Sequence, residues 1–107
     1  MRNVTWSESA YASFSDVIAY TVEEYGLKQA QILRNLVAAV IERVRQFPYS
    51  SPVDDSLPFV GVELRSTLII SKLKLVYYIS DDGGVKIVFI WNVQRSANTI
   101  LRQLDIE

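Results

Sequence analysis

The chain contains no histidine and no cysteine. The first absence removes the commonest general base, the commonest metal ligand and every Ser-His or Cys-His dyad. The second excludes a disulfide framework and a thiolate metal site. Any chemistry therefore falls to Lys, Arg, Tyr, Asp or Glu. An excess of one charge is missing too: 11 basic side chains stand against 12 acidic ones. No bulk field drives the chain toward nucleic acid, although a local basic patch remains open. No apolar run approaches the ~18 residues of a membrane span. The opening Met1-Arg2-Asn3-Val4-Thr5-Trp6 is a short strand-like run, not a charged segment leading into a long apolar one. The default expectation is a soluble, cytoplasmic protein. Only four glycines occur, and none forms a phosphate-cradling loop. The carboxylates are scattered, and Asp81-Asp82-Gly83-Gly84 lacks the alternating ligands of a calcium loop. No metal or cofactor is expected.

What is present is half hydrophobic and long enough for one domain, residues 1–107, without internal repeats or linkers. Residues 2–6 read as a strand. Ser7-Glu8-Ser9 offers an N-cap hydroxyl and an acid for the first helical turn. Tyr11, Phe14, Ile18, Val22 and Tyr25 then recur at spacings of three and four, an apolar stripe that Gly26 ends. A second helix is expected over residues 27–46, with Leu33, Leu36, Val37, Val40, Ile41, Val44 and Phe47 as its stripe. So short a connection forces the two helices antiparallel. Pro48 stops the second, and residues 49–58 read as a surface loop. Strands are expected over residues 61–70, 73–80 and 85–92, with Asp81-Asp82-Gly83-Gly84 as a hairpin turn. Residues 96–104 fit a short final helix with Ser96 as N-cap. The expected fold is α+β: an N-terminal strand, then an antiparallel helical hairpin packed on a three- to four-stranded antiparallel sheet, then a short C-terminal helix.

That order and several local motifs resemble the RelE/ParE superfamily, the toxins of bacterial type II toxin–antitoxin pairs. Val4-Thr5-Trp6-Ser7-Glu8-Ser9-Ala10 looks like the family's opening strand and cap. Tyr20 with Glu24-Tyr25-Gly26 resembles the end of its first helix, and Phe47-Pro48 its "fP" after the second. Gly61-Val62-Glu63-Leu64-Arg65 resembles its "g-x-x-x-R" opening of the sheet. Lys74-Leu75-Val76-Tyr77-Tyr78-Ile79 resembles its "R-x-x-Y-x-I" strand, with Lys in the Arg place, and Arg95 its terminal arginine. The resemblance implies a toxin silenced by a cognate antitoxin protein. It acts either as a ParE-like inhibitor that binds DNA gyrase or as a RelE-like endoribonuclease on ribosome-bound mRNA. A third option is an interaction domain that kept the fold without the toxicity. The residues after Arg95, SANTILRQLDIE, hold neither Tyr nor His, and with the near-neutral charge this favours binding over cleavage.

In the ribonuclease reading, Arg65, Lys74 and Arg95 are the catalytic candidates, orienting the phosphate and bearing its developing charge. In the alternative, Arg65 is a structural ion pair with Glu63 or a loop aspartate, or a solvated strand residue. Lys72 and Lys74 then keep a hairpin end soluble. Tyr77 and Tyr78 point to opposite faces, one of them into the core. Trp6 and Trp91 read as core, with packing as a pair across the sheet as a further option. An apolar groove between the helices and the sheet edge is expected to take a partner segment, with self-association through the same surface as a further option.

Overall fold

The computed structural model describes residues 2–92. Strand β1 (Val4–Trp6) leads into helices α1 (Glu8–Tyr25) and α2 (Leu27–Gln46), followed by strands β2 (Arg65–Ile70), β3 (Leu73–Ile79) and β4 (Val85–Asn92). The sheet order is β1-β4-β3-β2. Both helices lie on one face, α1 against β4 and α2 against β2. Arg95 and the expected final helix lie outside the described residues.

The sheet is mixed rather than wholly antiparallel, because β1 pairs with β4 in parallel. The connectivity explains it. The chain reverses at α1–α2, α2–β2, β2–β3 and β3–β4, and an even number of reversals restores the direction of β1. The β1 strand thereby covers the edge of β4 without its own hairpin.

Ser7 fixes the start of α1. Its Oγ accepts from the Ala10 N–H at 3.0 Å, capping the helix, and donates to the Val88 carbonyl at 3.0 Å. Val88 is available because the β3–β4 register shifts there: Val76 pairs with Phe89 and Tyr77 with Ile87. This one-residue bulge also explains the unbroken apolar sequence of β4. Ile87 and Ile90 face the helices, while Phe89 and Trp91 face the opposite side. The strand is buried from Ile87 to Trp91.

The stripe expected on α2 holds at Leu33, Val37, Val40 and Val44, which are buried; Phe47 instead is 60% exposed. The stripe on α1 holds in part, with Phe14 and Ile18 packed against the core. Tyr11 and Tyr25 are exposed, and the buried positions are Ala10 and Ser13. Small residues there bring the α1 backbone close to β4. Ser13 Oγ donates to the Ala10 carbonyl at 3.0 Å and accepts from the Ile90 N–H at 2.9 Å, so its hydroxyl is satisfied in the core. Gly26, at φ +95°, turns the chain between the helices and donates its N–H to Thr21 and Val22 carbonyls.

The segment between α2 and β2 wraps around the β2 edge and covers the second face of the sheet. Leu57 and Leu64 are buried there with Val76, Val88, Phe89 and Trp91, and Val60, Val62 and Tyr78 pack against them. This cover delays β2, which starts at Arg65 rather than Gly61; Gly61 takes φ +93° in the wrapping loop. The two tryptophans do not pair. Trp91 belongs to this second cluster, whereas Trp6 stacks on Tyr11 at 5.3 Å and packs against Phe14 at 5.4 Å. The β3–β4 turn closes as expected, with Asp82 Oδ1 accepting from the Gly84 N–H at 2.9 Å and Gly83 at φ +85°.

Candidate functional site

The two ends of the helix–sheet sandwich differ in chemistry. One end holds the row Arg65–Tyr77–Ile87 and the end of α2; the other holds Ile70, Leu73 and Asn92 and the tip of the helical hairpin.

The first end is polar and tied down. Arg65 Nη1 donates to the Ser51 carbonyl at 2.6 Å, and its guanidinium lies 5.1 Å from the Tyr49 ring centre. Its backbone bridges Val53. Tyr77 is fully buried, and its hydroxyl donates to the Pro48 carbonyl at 2.7 Å. Burial pushes the Tyr77 phenol up, against the opposing effects of Ser51, Arg65 and Arg43. Arg43 reaches from α2 to the Thr67 hydroxyl. Among the described residues, neither Arg43 nor Arg65 lies within ion-pair distance of a carboxylate. Arg65 thus holds a loop carbonyl and an aromatic ring, where the sequence suggested Glu63 or an aspartate.

On the opposite face, Asp54 organises the wrapping loop. It accepts from Ser66 Oγ at 2.5 Å, from Ser56 Oγ at 2.5 Å and from the Ser56 N–H at 3.0 Å. Lys74 Nζ stands 3.8 Å from it. Burial raises the Asp54 carboxyl, but the bonds from Ser56 and Ser66, with Lys74, outweigh it and hold the group below the usual carboxylate range.

The register sets Arg65 and Lys74 apart. Arg65 pairs with Tyr77 on the helix-covered face, and Lys74 pairs with Leu68 on the other. The structure therefore does not bring these two candidates together, and Arg95, the third, lies outside the described residues. Lys72 is exposed at the β2–β3 turn, beside Ser71 at φ +53°. Among the described residues no cluster of acids could hold a metal.

The second end is an open cleft of about 1020 Å³ between α1, α2 and the β2–β3 turn. Val17, Leu33, Leu36, Leu73 and Ile90 form its floor and walls. Tyr20, Tyr25, Ile32 and Ile70 stand at its margins, 59%, 66%, 43% and 46% exposed. So much apolar surface in one concave place makes the cleft a candidate interaction surface. Asp16 and Lys72 also line it, on α1 and on the turn. The main stripes of the helices did not single out Tyr20 or Ile32. The legible signal was apolar residues beside the core stripe, Val17 and Tyr20 on α1 and Ile32 on α2 next to Leu36.

No protein-family model and no curated protein matches the sequence. Solved structures do match the fold. The chain is similar to a structure described as the chromosomal ParDE TA system from P. aeruginosa, with a TM-score of 0.68 at 15% identity, covering 86% of this chain and 96% of that one. A metal-bound toxin from Helicobacter pylori matches with a TM-score of 0.56 at 16% identity, over 88% of this chain and 97% of that one. The YoeB dimer from Staphylococcus aureus matches at 0.54 and 15%, over 83% and 93%. The chain therefore shares the α+β fold of these solved structures. Among the described residues, no helix is long and apolar enough to cross a membrane.

Proposed function

We propose that the protein is the toxin of a bacterial type II toxin–antitoxin pair, neutralised by a cognate antitoxin, and that it acts in the ParE manner, by binding DNA gyrase. The carrying observation is the fold, common to nearly the whole chain and to toxins of such pairs. The apolar cleft supports a protein partner, since an amphipathic segment laid into it would cover Tyr20, Ile32 and Ile70. Binding is favoured over cleavage by the separation of Arg65 and Lys74 on opposite faces, each engaged with the wrapping loop.

The second reading is a metal-independent ribonuclease acting on ribosome-bound mRNA. One observation favours it: Arg43 and Arg65 place two guanidinium groups on one face near Tyr77, with no carboxylate paired to either among the described residues. They would orient a phosphate while the adjoining 2′-hydroxyl attacks in line, with Arg95 as a further cation.

A short induction in a bacterial host separates the readings. Labelled thymidine and amino-acid incorporation are followed over the first minutes. A first fall in DNA synthesis supports gyrase inhibition. A first fall in protein synthesis supports the ribonuclease. Harmless expression in several hosts without the partner overturns an active toxin altogether.

A further inference from the structure

The β3–β4 turn carries a chemically labile bond. Asp82–Gly83 is the only Asp-Gly pair in the sequence, and no Asn-Gly pair occurs. Next to glycine an aspartyl carboxyl is open to attack by the main chain, because no side chain shields the following nitrogen. The Gly83 nitrogen adds to Asp82 Cγ and gives up its proton. The protonated carboxyl loses its hydroxyl, so that one water departs and a five-membered succinimide remains. Water then reopens the ring. Entry at the Asp82 main-chain carbonyl breaks that carbon's bond to the Gly83 nitrogen. The product is isoaspartate, of unchanged mass, with the chain running on through Cβ and Cγ.

The turn withholds both reacting groups. The Gly83 N–H donates to the Ser80 carbonyl at 2.9 Å. Asp82 Oδ1 accepts from the Gly84 N–H at 2.9 Å and from Ser80 Oγ, so the carboxyl is turned toward Gly84 and away from the Gly83 nitrogen. The same two bonds hold it below the usual carboxylate range, in the ionised form that does not cyclise. Ser80 thus engages both the nucleophile and the carboxyl, and its own N–H closes on the Gly84 carbonyl at 2.9 Å. Strand β1 lies alongside: Arg2 Nη1 donates to the Gly83 carbonyl at 3.3 Å, and the Asn3 carbonyl accepts from the Val85 N–H at 2.8 Å. Isoaspartate would insert an extra main-chain atom just before Val85, which pairs with both Ile79 and Val4. We propose that Asp82–Gly83 is an isomerisation site latched shut by the native turn, with Ser80 as the latch. Modification then proceeds through the opened turn and loosens β4 from β1 and β3.

The test ages the full-length protein in warm neutral buffer beside the same chain denatured in guanidinium chloride. Trypsin cleavage after Lys74 and Lys86 releases residues 75–86, which hold both Asp81 and Asp82. Isoaspartate is read as a retention shift at constant mass, and its position by fragmentation. The folded chain should form it at Asp82 several-fold more slowly than the denatured one. Ser80→Ala should close much of that gap without a matching fall in melting temperature, whereas Ser80→Thr, which keeps the hydroxyl, should retain the protection. Equal rates in the folded and denatured wild-type chain overturn the proposal, whatever the variants do. So does isomerisation confined to Asp81, or a folded Ser80→Ala chain that ages no faster than wild type.

Discussion

The clamped end and the open end of this sandwich use the same two layers for opposite purposes. At the clamped end the chain satisfies its polar groups internally: Tyr77 on Pro48, Arg65 on Ser51, and Asp54 on Ser56 and Ser66. At the open end it leaves Tyr20, Tyr25, Ile32 and Ile70 facing outward around a cleft. Arg65 and Lys74, cations that look like chemistry in the sequence, are thus engaged with a loop. Apolar residues that look like excess core are free to meet a partner. The lesson is that in a chain without histidine, an arginine at a motif position is first to be asked what it holds.

Substitutions can break this contrast. The largest effect is expected between the ends, where Leu75→Ala should destabilise by about 3–4 kcal/mol in denaturant titration, since Leu75 is fully buried beneath the helices. Arg65→Ala comes next, at about 2 kcal/mol, from the charge-assisted bond to a carbonyl of the buried Ser51 and the Tyr49 contact. Tyr77→Phe should cost about 1–2 kcal/mol, because it leaves the Pro48 carbonyl without its donor. At the open end Ile32→Ser should stay within about 0.5 kcal/mol, as for other exposed positions, while weakening any segment bound in the cleft. Equal destabilisation at both ends would erase the distinction.

A pH series sharpens it. The Asp54 carboxyl is held below its ordinary range in the folded chain. Its contribution is therefore complete above the unfolded carboxylate range and is lost as pH falls through the folded value. Chemical denaturation between pH 6 and pH 3 should show stability falling at the acid end, and a shallower fall in Asp54→Asn. Identical slopes would contradict the role of Asp54 as the organiser of the wrapping loop.

Much of the fold was legible in the sequence, and the exceptions have physical causes. The α2 span and the β4 span follow directly from period and punctuation. The α1 face was legible in part: Phe14 and Ile18 pack against the core as expected, while Tyr11 and Tyr25 stay exposed, large residues having been weighted over small ones. Close approach to β4 selects Ala10 and Ser13, and Tyr11 finds its partner in Trp6 outside the core. The parallel pairing of β1 could not be read locally, since it depends on counting reversals along the chain. The late start of β2 reflects a loop that packs by its own apolar residues, Leu57, Val60, Val62 and Leu64. Arg65 was singled out in the sequence and its surroundings were not. Ser51 and Tyr49 lie in a loop whose path depends on tertiary contacts, and only the sheet register shows that Lys74 faces the other way.

The most direct measurement compares growth arrest and folding in one variant, Arg65→Gln. Both are scored against the wild-type chain, with arrest on induction set beside the folded fraction and melting temperature of the purified protein. The account predicts that the melting temperature falls and that arrest weakens only as far as the folded fraction does. Complete loss of arrest with an unchanged melting temperature and folded fraction would contradict it, and would make Arg65 a participant in chemistry rather than the clamp of a loop.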